Sequence, residues 1–535
     1  MIKGIEKLRL YAQSIHITFE SWILSFAGIV LIRIFLEQYS SFIPRHFILI
    51  DVPTIVHYSV FFLASIVLLM IILRLLTKTS IKELSVICLM GLFVLWIVPL
   101  IDLAVGGVGG HILTYPLLTL KELFLRFVTF FGGHITFGAT LGVQVEIIMV
   151  MIVCYLYVYI ATKNIIRAIG ASLAFYCLIF FLGSIPSLIA LFFPQYHEPM
   201  TAITQSMTSS HIVENNIHPD FSGTYLGLFN LAFNKTMIGI YTIIAILSSG
   251  FLFFLTARKK FIALMKNCRP ERIFHVFLLF TLGAALAHTA WFTSWIDIQS
   301  YILALIAFFC AGMFSICQND IHDETIDAIS NPNRPLISKE LSRNDMEMAS
   351  KIFLIFAILS AYASSHYLLF FVSLSMFAYY IYSNPPLRLK RFVILSSILV
   401  SLAHLSVILA GFFLLSPDKN IIAFPFSLVV AIIVFFTIIS NVRDIKDEDG
   451  DRTGGIKTLP VLLGLKKSKK IIAGMGCFLF LLIPWYFYIS SLLIPSIIVA
   501  ILSWHFVTTE NYKEWKVFTV YLIYLILIIG AIAFQ

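Results

Sequence analysis

Long apolar runs separated by short polar segments dominate the pattern along this chain. A helix that crosses a membrane needs about 20 mostly apolar residues. In the first half, runs of about this length lie near residues 18–36, 53–76, 83–104, 142–162, 168–193 and 237–257. In the second half, they lie near residues 273–293, 296–317, 347–365, 367–383, 392–415, 420–440, 470–488, 490–507 and 517–534. The pattern predicts an all-α polytopic membrane protein, with about six spans followed by a bundle of about nine.

The composition supports the same fold class. The chain has 535 residues, of which 60% are hydrophobic and 12% are charged, and its mean hydropathy is +0.95. Soluble domains average about 45–50% apolar and about 25% charged residues. The formal net charge of +9 does not indicate nucleic acid as a partner, because the Lys and Arg residues occupy short loops between apolar runs. The seven cysteines form no CxxC pair, which argues against a disulfide framework or a zinc site.

The distribution of basic residues predicts the orientation. Lys3, Lys7 and Arg9 precede the first span, and later basic clusters fall mostly in alternate loops. Because cytoplasmic loops are enriched in Lys and Arg, we expect the N-terminus to lie in the cytoplasm of a cell whose cytoplasmic membrane holds the protein. The segment Met1–Thr18 lacks the small-residue cleavage pattern of a signal peptide, so we expect the first span to be retained.

A cluster of basic residues between Ala257 and Arg272 divides the chain into two predicted domains, 1–260 and 266–535. The role of the first is undetermined: it could present substrate, assist assembly or carry a second activity. Its segment from Gly106 to Thr140 is too polar and glycine-rich for a plain span and repeats Gly-Gly-His. The external loop 195–236 carries five residues that suit either a metal site or an ordinary polar loop: His197, His211, Glu214, His218 and Asp220.

The most informative polar stretch follows the apolar run that ends at Ile316. Asn319, Asp323 and Asp327 recur at i, i+4 and i+8, which would place them on one face of a helix. Acidic groups at the end of a membrane helix are costly to desolvate, so we expect them to hold a cation. Aligned oxygen ligands suit a hard cation such as Mg²⁺.

Two further loops are predicted on the same cytoplasmic face. One reads Tyr-Ser-Asn-Pro-Pro-Leu-Arg-Leu-Lys-Arg over residues 382–391, and the other carries Asp447 and Asp451, again at i, i+4. Two carboxylate pairs with interleaved Lys and Arg suit a diphosphate bound through Mg²⁺, since the acids bind metal and the cations take the remaining phosphate charge.

These segments resemble the motifs of the UbiA superfamily of intramembrane prenyltransferases. The stretch NDIHDETIDAISNPNRPL is similar to its first acidic motif, YSNPPLRLKR to its loop after the fourth helix, and KDEDGDRTGGIKTLPVLLG to its second acidic motif. The resemblance covers residues 266–535 approximately, and residues 1–260 resemble no family that we recognise.

The resemblance implies a helical bundle with a cavity open to lipid, and a reaction in which an allylic diphosphate ionises and its isoprenyl group is captured by an acceptor. It implies one Mg²⁺ at Asn319, Asp323 and Asp327 and a second at Asp447 and Asp451, and the four aspartates of these sets are the expected catalytic residues. Asp320 and Asp444 match family positions near the metals, and Asp320 is counted among the metal ligands. The expected diphosphate contacts are Asn319, Arg334, Lys390 and Lys446.

Several alternatives stay open. His322 lies between the acids but matches no fixed family position, so it is interpreted as a filler. A cation-coupled transporter could also use acidic clusters, although such a protein is expected to bury its ionisable residues near the bilayer midplane. No residue identifies the acceptor, which could be a small aromatic compound or a lipid, nor does any residue fix the prenyl chain length or the oligomeric state.

Overall fold

The structure is a computed structural model. It describes residues 2–15, 17–40, 52–105, 118–131, 139–193, 199–208, 210, 225–287, 291–416 and 420–534. Within these ranges the chain is helical and has no β-strand, so the predicted all-α class is confirmed. The chain forms two compact units, one made of Met1–Ser209 with Pro219–Ala257 and the other of Ser210–His218 with Arg258–Gln535.

The first unit is built from apolar helices around a core of aliphatic and aromatic side chains. Its described helices are α1 (Ile2–Ser14), α2 (Phe19–Ser40), α3 (Val52–Thr77), α4 (Ile81–Gly91), α5 (Ile97–Ala104), α6 (Leu120–Val128), α7 (Leu141–Thr162), α8 (Ile165–Gly183), α9 (Ile185–Ala190), α10 (Pro199–Thr208) and α11 (Tyr225–Thr256). A 3₁₀ segment, Leu92–Trp96, joins α4 to α5, and Ile81–Ala104 is one helical segment long and apolar enough to span a membrane, in agreement with the span predicted near 83–104.

Polar side chains fix the ends of several helices in this unit. The carboxylate of Asp102 accepts hydrogen bonds from the Gly142 amide at 2.8 Å and the Thr140 hydroxyl at 2.7 Å, which ties the end of α5 to the start of α7. Buried Glu83 accepts from Arg9 at 2.6 Å and from the Tyr157 hydroxyl at 3.2 Å. Since a buried carboxylate is costly without donors, these contacts stabilise the packing of α1, α4 and α7.

The second unit contains both acidic motifs and the loop at residues 382–391. Its described helices are α12 (Arg258–Lys266), α13 (Pro270–Leu286), α14 (Trp295–His322), α15 (Glu324–Ser330), α16 (Arg343–Ser364), α17 (His366–Ser383), α18 (Val393–Leu415), α19 (Phe426–Ile439), α20 (Glu448–Thr453), α21 (Leu459–Leu463), α22 (Leu465–Phe487), α23 (Leu493–Thr508) and α24 (Glu514–Ala533). Short 3₁₀ segments also occur, and Ser440–Ile445 extends α19 toward the second acidic motif.

Among the described residues, 13 helical segments are long and apolar enough to cross a membrane by length and composition. Two predicted spans, those at α13 and α17, form helices but are not among these 13 segments. The division into six plus nine spans therefore stays a prediction. The helix α11 begins at Tyr225, well before the predicted start of its span near residue 237.

Some predictions concern residues that lie outside the described ranges. Both Gly-Gly-His sequences do so, as do the five loop residues considered for a metal site, namely His197, His211, Glu214, His218 and Asp220. Within Gly106–Thr140 the described part contains one helix of nine residues, α6, which is too short to cross a membrane. The domain division 1–260 and 266–535 also stays a prediction.

Candidate active site

The first acidic segment is broken at its central aspartate. Helix α14 ends at His322, and Asp323 adopts φ −107° and ψ 15° before α15 begins at Glu324. This is the bridge region of backbone space, in which many active-site residues lie. The prediction that Asn319, Asp323 and Asp327 share one continuous helix is therefore wrong, although the Asp323 amide still bonds to the Asn319 carbonyl at 2.9 Å and the Asp327 amide to the Asp323 carbonyl at 2.8 Å.

The second acidic segment repeats this local structure. Asp447 adopts φ −93° and ψ 9° directly before α20, and the Asp451 amide donates to the Asp447 carbonyl at 2.8 Å. Each motif thus places one aspartate immediately before a short helix and a second aspartate one turn into it. Both Asp327 and Asp451 are buried, so each short helix turns a carboxylate inward.

A glycine allows the two short helices to pack closely. A Cβ atom at Gly450 would lie 2.1 Å from the Ser330 hydroxyl oxygen and 3.1 Å from a methyl carbon of Ile326. Any larger residue would require these side chains to move, because real Cβ contacts are longer than this. The glycine within the second acidic motif therefore lets α20 approach α15 and brings the two pairs of aspartates together.

The two motifs line a single cavity of about 290 Å³ in the second unit. Its polar lining comprises Asn319, Asp323, Asp327, Asp444, Asp447 and Asp451, together with the cations Arg334, Lys390 and Arg443. Its apolar walls include aromatic side chains from several helices, namely Phe308, Tyr379, Phe436, Phe480, Phe518 and Tyr521. A cavity with a charged end and aromatic walls suits a ligand with an anionic head and a hydrocarbon tail.

Two cations hold Asp323. Buried Lys390 forms an ion pair with its carboxylate, and the Arg388 guanidinium lies 3.0 Å from the same oxygen. Arg388 also donates to the His322 carbonyl at 3.2 Å, which secures the loop after α17 against the end of α14. Burial lowers the pKa of Lys390, and the charge of Asp323 partly opposes this effect.

Asp327 has a similar arrangement. Arg334 forms an ion pair with one carboxylate oxygen of Asp327, and Asn331 donates to the other at 3.2 Å. Burial raises the pKa of Asp327 to about 6, even though Arg334 acts in the opposite direction. The predicted diphosphate contacts Arg334 and Lys390 therefore lie on the cavity wall, each beside one aspartate of the first motif.

Asp320 does not fit the predicted role of metal ligand. It is 2% exposed, does not line the cavity, and accepts from Arg269 at 2.6 Å, Arg334 at 3.1 Å and Asn267 at 2.8 Å. Both oxygens thus have donors, and Asp320 contributes no atom to the cavity lining. Its hydrogen bond to Arg334 instead helps to position that guanidinium beside the cavity.

Lys446 is also misplaced relative to its predicted role. Its side chain is 44% exposed and lies 3.6 Å from Glu514, and it does not line the cavity. The neighbouring Arg443, which the sequence reasoning missed, lines the cavity, donates to the Tyr382 hydroxyl at 3.1 Å and lies 3.5 Å from Asp444. The 3₁₀ turn before Asp447 accounts for the exchange, because it changes which residues of the segment face inward.

Arg388 and Arg269 were missed as well. Arg388 lies inside the Pro-Pro-Leu-Arg loop, so its motif could have indicated it, whereas Arg269 lies in the basic cluster between Ala257 and Arg272, which carried no signal for a single residue. Asn319 lines the cavity and accepts from the Ser383 hydroxyl at 3.0 Å. The neighbouring Gln318 and Asn384 bond to each other at 2.8 Å, which joins the ends of α14 and α17.

In the second pair of aspartates, Asp447 and Asp451, the cost of burial is less fully compensated by hydrogen bonds and ion pairs. Among the described residues, Asp447 Oδ1 is buried and has no hydrogen-bond partner. Burial and the charges of Asp444 and Asp447 raise the pKa of Asp451 to about 7. An orphaned buried carboxylate oxygen is costly, and a divalent cation would satisfy it. These residues fit a Mg²⁺ ligand set, although no group of three or more His, Cys, Asp or Glu in the described ranges is close enough to hold a metal alone.

The comparisons with known proteins agree with one another. Residues 276–527 match the model of the UbiA prenyltransferase family, and no family model matches the N-terminal half. Homogentisate geranylgeranyltransferase from Triticum aestivum is 30% identical over 223 residues, covering 38% of this chain and 53% of the relative. Chlorophyll synthase from Avena sativa is 28% identical over 193 residues, covering 33% and 48%.

Naringenin 8-dimethylallyltransferase 2 from Sophora flavescens is 30% identical over 219 residues, covering 38% of this chain and 52% of the relative. The chain thus spans about half the length of the curated relatives it matches. Among solved structures, a UbiA homolog from Archaeoglobus fulgidus bound to GPP and Mg²⁺ is similar with a TM-score of 0.41 and 18% identity, covering 51% of this chain and all of that one.

Proposed function

We propose that residues 276–527, which belong to the UbiA prenyltransferase family, form the catalytic part of a Mg²⁺-dependent intramembrane prenyltransferase. The enzyme would move an isoprenyl group from an allylic diphosphate to a small aromatic or lipid-type acceptor. The observation that carries this proposal is the meeting of two acidic motifs, distant in sequence, in the wall of one cavity that Lys390 and Arg334 also line. The first unit would be a separate multi-span domain.

Mg²⁺ would be held by Asn319, Asp323 and Asp327 on one wall and by Asp447 and Asp451 on the other. The unpartnered oxygen of Asp447 supports this assignment. When bound, Mg²⁺ would act as a Lewis acid that neutralises charge on the diphosphate. The small number of carboxylates on each wall agrees with ligand sets that diphosphate oxygens and water complete.

The cations would take the rest of the diphosphate charge. Lys390 forms an ion pair with Asp323, and Arg334 forms an ion pair with Asp327. Both cations line the cavity and could share their donors between a carboxylate and a phosphate oxygen, as Lys and Arg have several N–H groups. Asp320 would be a positioning residue that orients Arg334, and Arg443 would replace Lys446 as the cation supplied by the second motif.

The chemical step follows from this charge distribution. The bond between the allylic carbon and the diphosphate oxygen breaks, and its electron pair leaves on the diphosphate, which the cations stabilise as its charge grows. The acceptor's nucleophilic atom forms a new bond to the allylic carbon and then loses a proton. Aromatic walls such as Phe308 and Phe436 exclude water and would face the transient allylic cation.

The relatives support an aromatic acceptor. Homogentisate and naringenin, named in two of the related transferases, are both phenols. The transporter alternative has less support, because the acids lie at helix ends with cations beside them, and the described part of the cavity offers no group of three or more acidic or histidine ligands for a lone coupling ion.

We further propose that the acidic end of the cavity faces the cytoplasm, as the basic loops predict. Within the loop 382–391, Asn384 is 3% exposed, so a cysteine at this position would be poorly accessible to a label. Leu387, which is 50% exposed in the same loop, is suitable. A membrane-impermeant maleimide should label Leu387→Cys only in inside-out vesicles, above the background of the native cysteines, and labelling in right-side-out vesicles would contradict the orientation.

Mass spectrometry of membrane lipids tests the proposed function. Cells that express the wild type should accumulate a prenylated product or show a smaller pool of isoprenyl diphosphate. Cells that express Asp323→Ala or Asp447→Ala at equal abundance should show neither change. Identical lipid profiles in all three strains, with the wild type folded in the membrane, would contradict the assignment.

A further inference from the structure

A second group of polar side chains lies in the same cavity, apart from the acidic motifs. His275 on α13 and His404 on α18 line the cavity together with Tyr379 and Tyr521. The two imidazole rings are 5.0 Å apart between centroids. His275 Nε2 lies 2.9 Å from the Tyr521 hydroxyl, and His404 Nε2 lies 3.5 Å from the Tyr379 hydroxyl. We call these four residues the histidine–tyrosine cluster.

The cluster is held by a close approach of two helix backbones. A Cβ atom at Gly283 would lie 1.9 Å from the Ile408 carbonyl oxygen, so α13 and α18 touch at a point where a side chain cannot fit. Gly283 lies about two turns after His275, and Ile408 lies one turn after His404. This contact fixes the distance between the two helices and therefore the separation of the two imidazoles.

The cluster has an unused hydrogen-bonding position. Among the described residues, Nδ1 of His404 is buried and has no partner. A buried imidazole nitrogen without a partner is less stable than one that is hydrogen-bonded. Because this ring lies on the wall of a cavity, a ligand in the cavity can supply the missing partner.

The surroundings define which ligand fits. The Phe436 ring is centred 4.6 Å from the ring of His404, and the Phe518 ring is 5.5 Å from that of His275. Aromatic walls favour a planar ring, which can stack or make edge contacts. A hydroxyl group can donate to or accept from His404 Nδ1, so it satisfies either neutral tautomer of the imidazole.

Two cations lie on the cavity wall toward its charged end. Arg272 lies 3.4 Å from Glu514, and Arg443, the cation proposed for the diphosphate, lies 3.5 Å from Asp444. His275 follows Arg272 by three residues on α13, which is about 4.5 Å along the helix axis. The cluster thus lies about one helical turn from the charged end, where the allylic carbon attached to a diphosphate would be.

We propose that the histidine–tyrosine cluster binds the hydroxyl group of a neutral phenolic acceptor, with His404 Nδ1 as the direct partner. The inference rests on the proposed prenyl transfer only in treating the bound phenol as the acceptor, and the binding itself does not depend on that reaction. His275 and Tyr521 act as positioning residues, since their mutual hydrogen bond orients the ring against which His404 packs.

Binding of β-naphthol to the full chain in lipid nanodiscs tests the proposal without donor or metal. The wild type should bind β-naphthol about five- to tenfold more tightly than His404→Phe, which keeps an aromatic ring but cannot form the hydrogen bond. It should bind the methyl ether of β-naphthol no better than the variant does. It should also prefer β-naphthol to decahydro-β-naphthol, which has the hydroxyl but no aromatic ring.

Matched controls separate this site from partition into lipid and from loss of folding. His505→Phe makes the same exchange at an exposed position outside the cavity lining and should bind like the wild type. If His404→Phe unfolds, Tyr379→Phe removes only the hydroxyl beside His404 Nε2 and should weaken β-naphthol about threefold, less than the loss of the nitrogen itself.

Equal affinity of the wild type and the folded His404→Phe variant for β-naphthol would overturn the proposal, as would failure of the wild type to distinguish β-naphthol from its methyl ether. Tighter binding of decahydro-β-naphthol would overturn the phenolic class. Because the binding is measured without an allylic diphosphate, selective naphthol binding alongside absent prenyl transfer would reject the proposed function and keep the site.

Discussion

Lys390 and Asp323 form a buried ion pair on the wall of the cavity, although 67 positions separate them in the sequence. The pair joins the loop after α17 to the break between α14 and α15. It also couples the two kinds of group that a Mg²⁺–diphosphate site needs, a carboxylate for the metal and a cation for the phosphate.

Replacing Lys390 should therefore weaken the donor site. In Lys390→Met, the lost charged hydrogen bond is worth about 1.5–3 kcal/mol, so we expect KM for the allylic diphosphate to rise about 10- to 100-fold. Steady-state kinetics with varied donor measures this effect. Lys467→Met alters an exposed lysine outside the cavity and should change KM less than twofold. A similar KM in both variants would contradict the phosphate role of Lys390.

Asp320 should contribute to stability more than to metal binding. In Asp320→Asn, Arg269 and Arg334 lose a buried anionic partner, and breaking a buried pair is costly. Because both arginines keep some exposure, 15% and 18%, we expect the free energy of unfolding to fall by about 2 kcal/mol and Tm to fall by about 2–3 °C.

Titration of activity with Mg²⁺ separates the two roles. Asp320→Asn should keep the Mg²⁺ concentration for half-maximal rate within about threefold of the wild type, whereas Asp447→Asn should raise it at least tenfold. A large change in the Mg²⁺ requirement of Asp320→Asn, with an unchanged Tm, would restore Asp320 as a ligand.

Stability and metal binding should depend on pH in opposite directions. The folded-state pKa values of Asp327 and Asp451 are raised to about 6 and about 7, so their stabilising contribution is fully present below about pH 4 and is lost as pH rises through these values. Without Mg²⁺, Tm should fall as the pH rises from about 4 to about 7 and should change little from there to pH 8. Since the metal requires ionised carboxylates, Mg²⁺ should raise Tm more at pH 8.

Thermal unfolding in nanodiscs, with and without Mg²⁺, checks this pattern. Asp451→Asn cannot ionise at that position and should show a smaller fall in Tm with pH. If Mg²⁺ stabilises the wild type equally at both ends of the range, the proposed coupling between Asp451 ionisation and metal binding is wrong.

Gly450 should be required for the two acidic helices to meet. In Gly450→Ala the new methyl group would collide with the Ser330 hydroxyl. We therefore expect a reduced rate and a rise of about tenfold in the Mg²⁺ concentration for half-maximal rate. The double variant with Ser330→Ala should recover part of the loss, because it removes the nearest atom. Gly530→Ala, at a position with open space around it, is the control and should be neutral or slightly stabilising.

The sequence was most informative where a physical pattern was repeated. Apolar runs predicted the helical class, and the spacing of the aspartates at i, i+4 predicted which carboxylates lie near one another. The break at Asp323 could not be predicted from this spacing. The amides of Asp323 and Asp327 still bond to the carbonyls four residues earlier, so the i, i+4 pattern is the same with or without the break. Only the continuity of the helix was mispredicted, because Asn319, Asp323 and Asp327 line the same cavity.

Inward and outward positions in the loops were harder to predict. Lys446 and Arg443 are three residues apart in the same basic and acidic segment, and only the 3₁₀ geometry of Ser440–Ile445 determines which one faces the cavity. Asp320 has the same residue type as its neighbours, but Asn267 and the two arginines that surround it come from other parts of the chain. The histidine–tyrosine cluster draws its members from four helices and left no signal in any single segment.

The central claim is that Asp323 and Asp447, from separate motifs, act on one Mg²⁺–diphosphate. Release of diphosphate from geranylgeranyl diphosphate, measured with the full chain in nanodiscs and a lipid extract of the host as acceptor, tests it most directly. We predict Mg²⁺-dependent release by the wild type and by Lys467→Met, and loss of at least about 100-fold in both Asp323→Ala and Asp447→Ala. Undiminished release by either folded aspartate variant would contradict the claim.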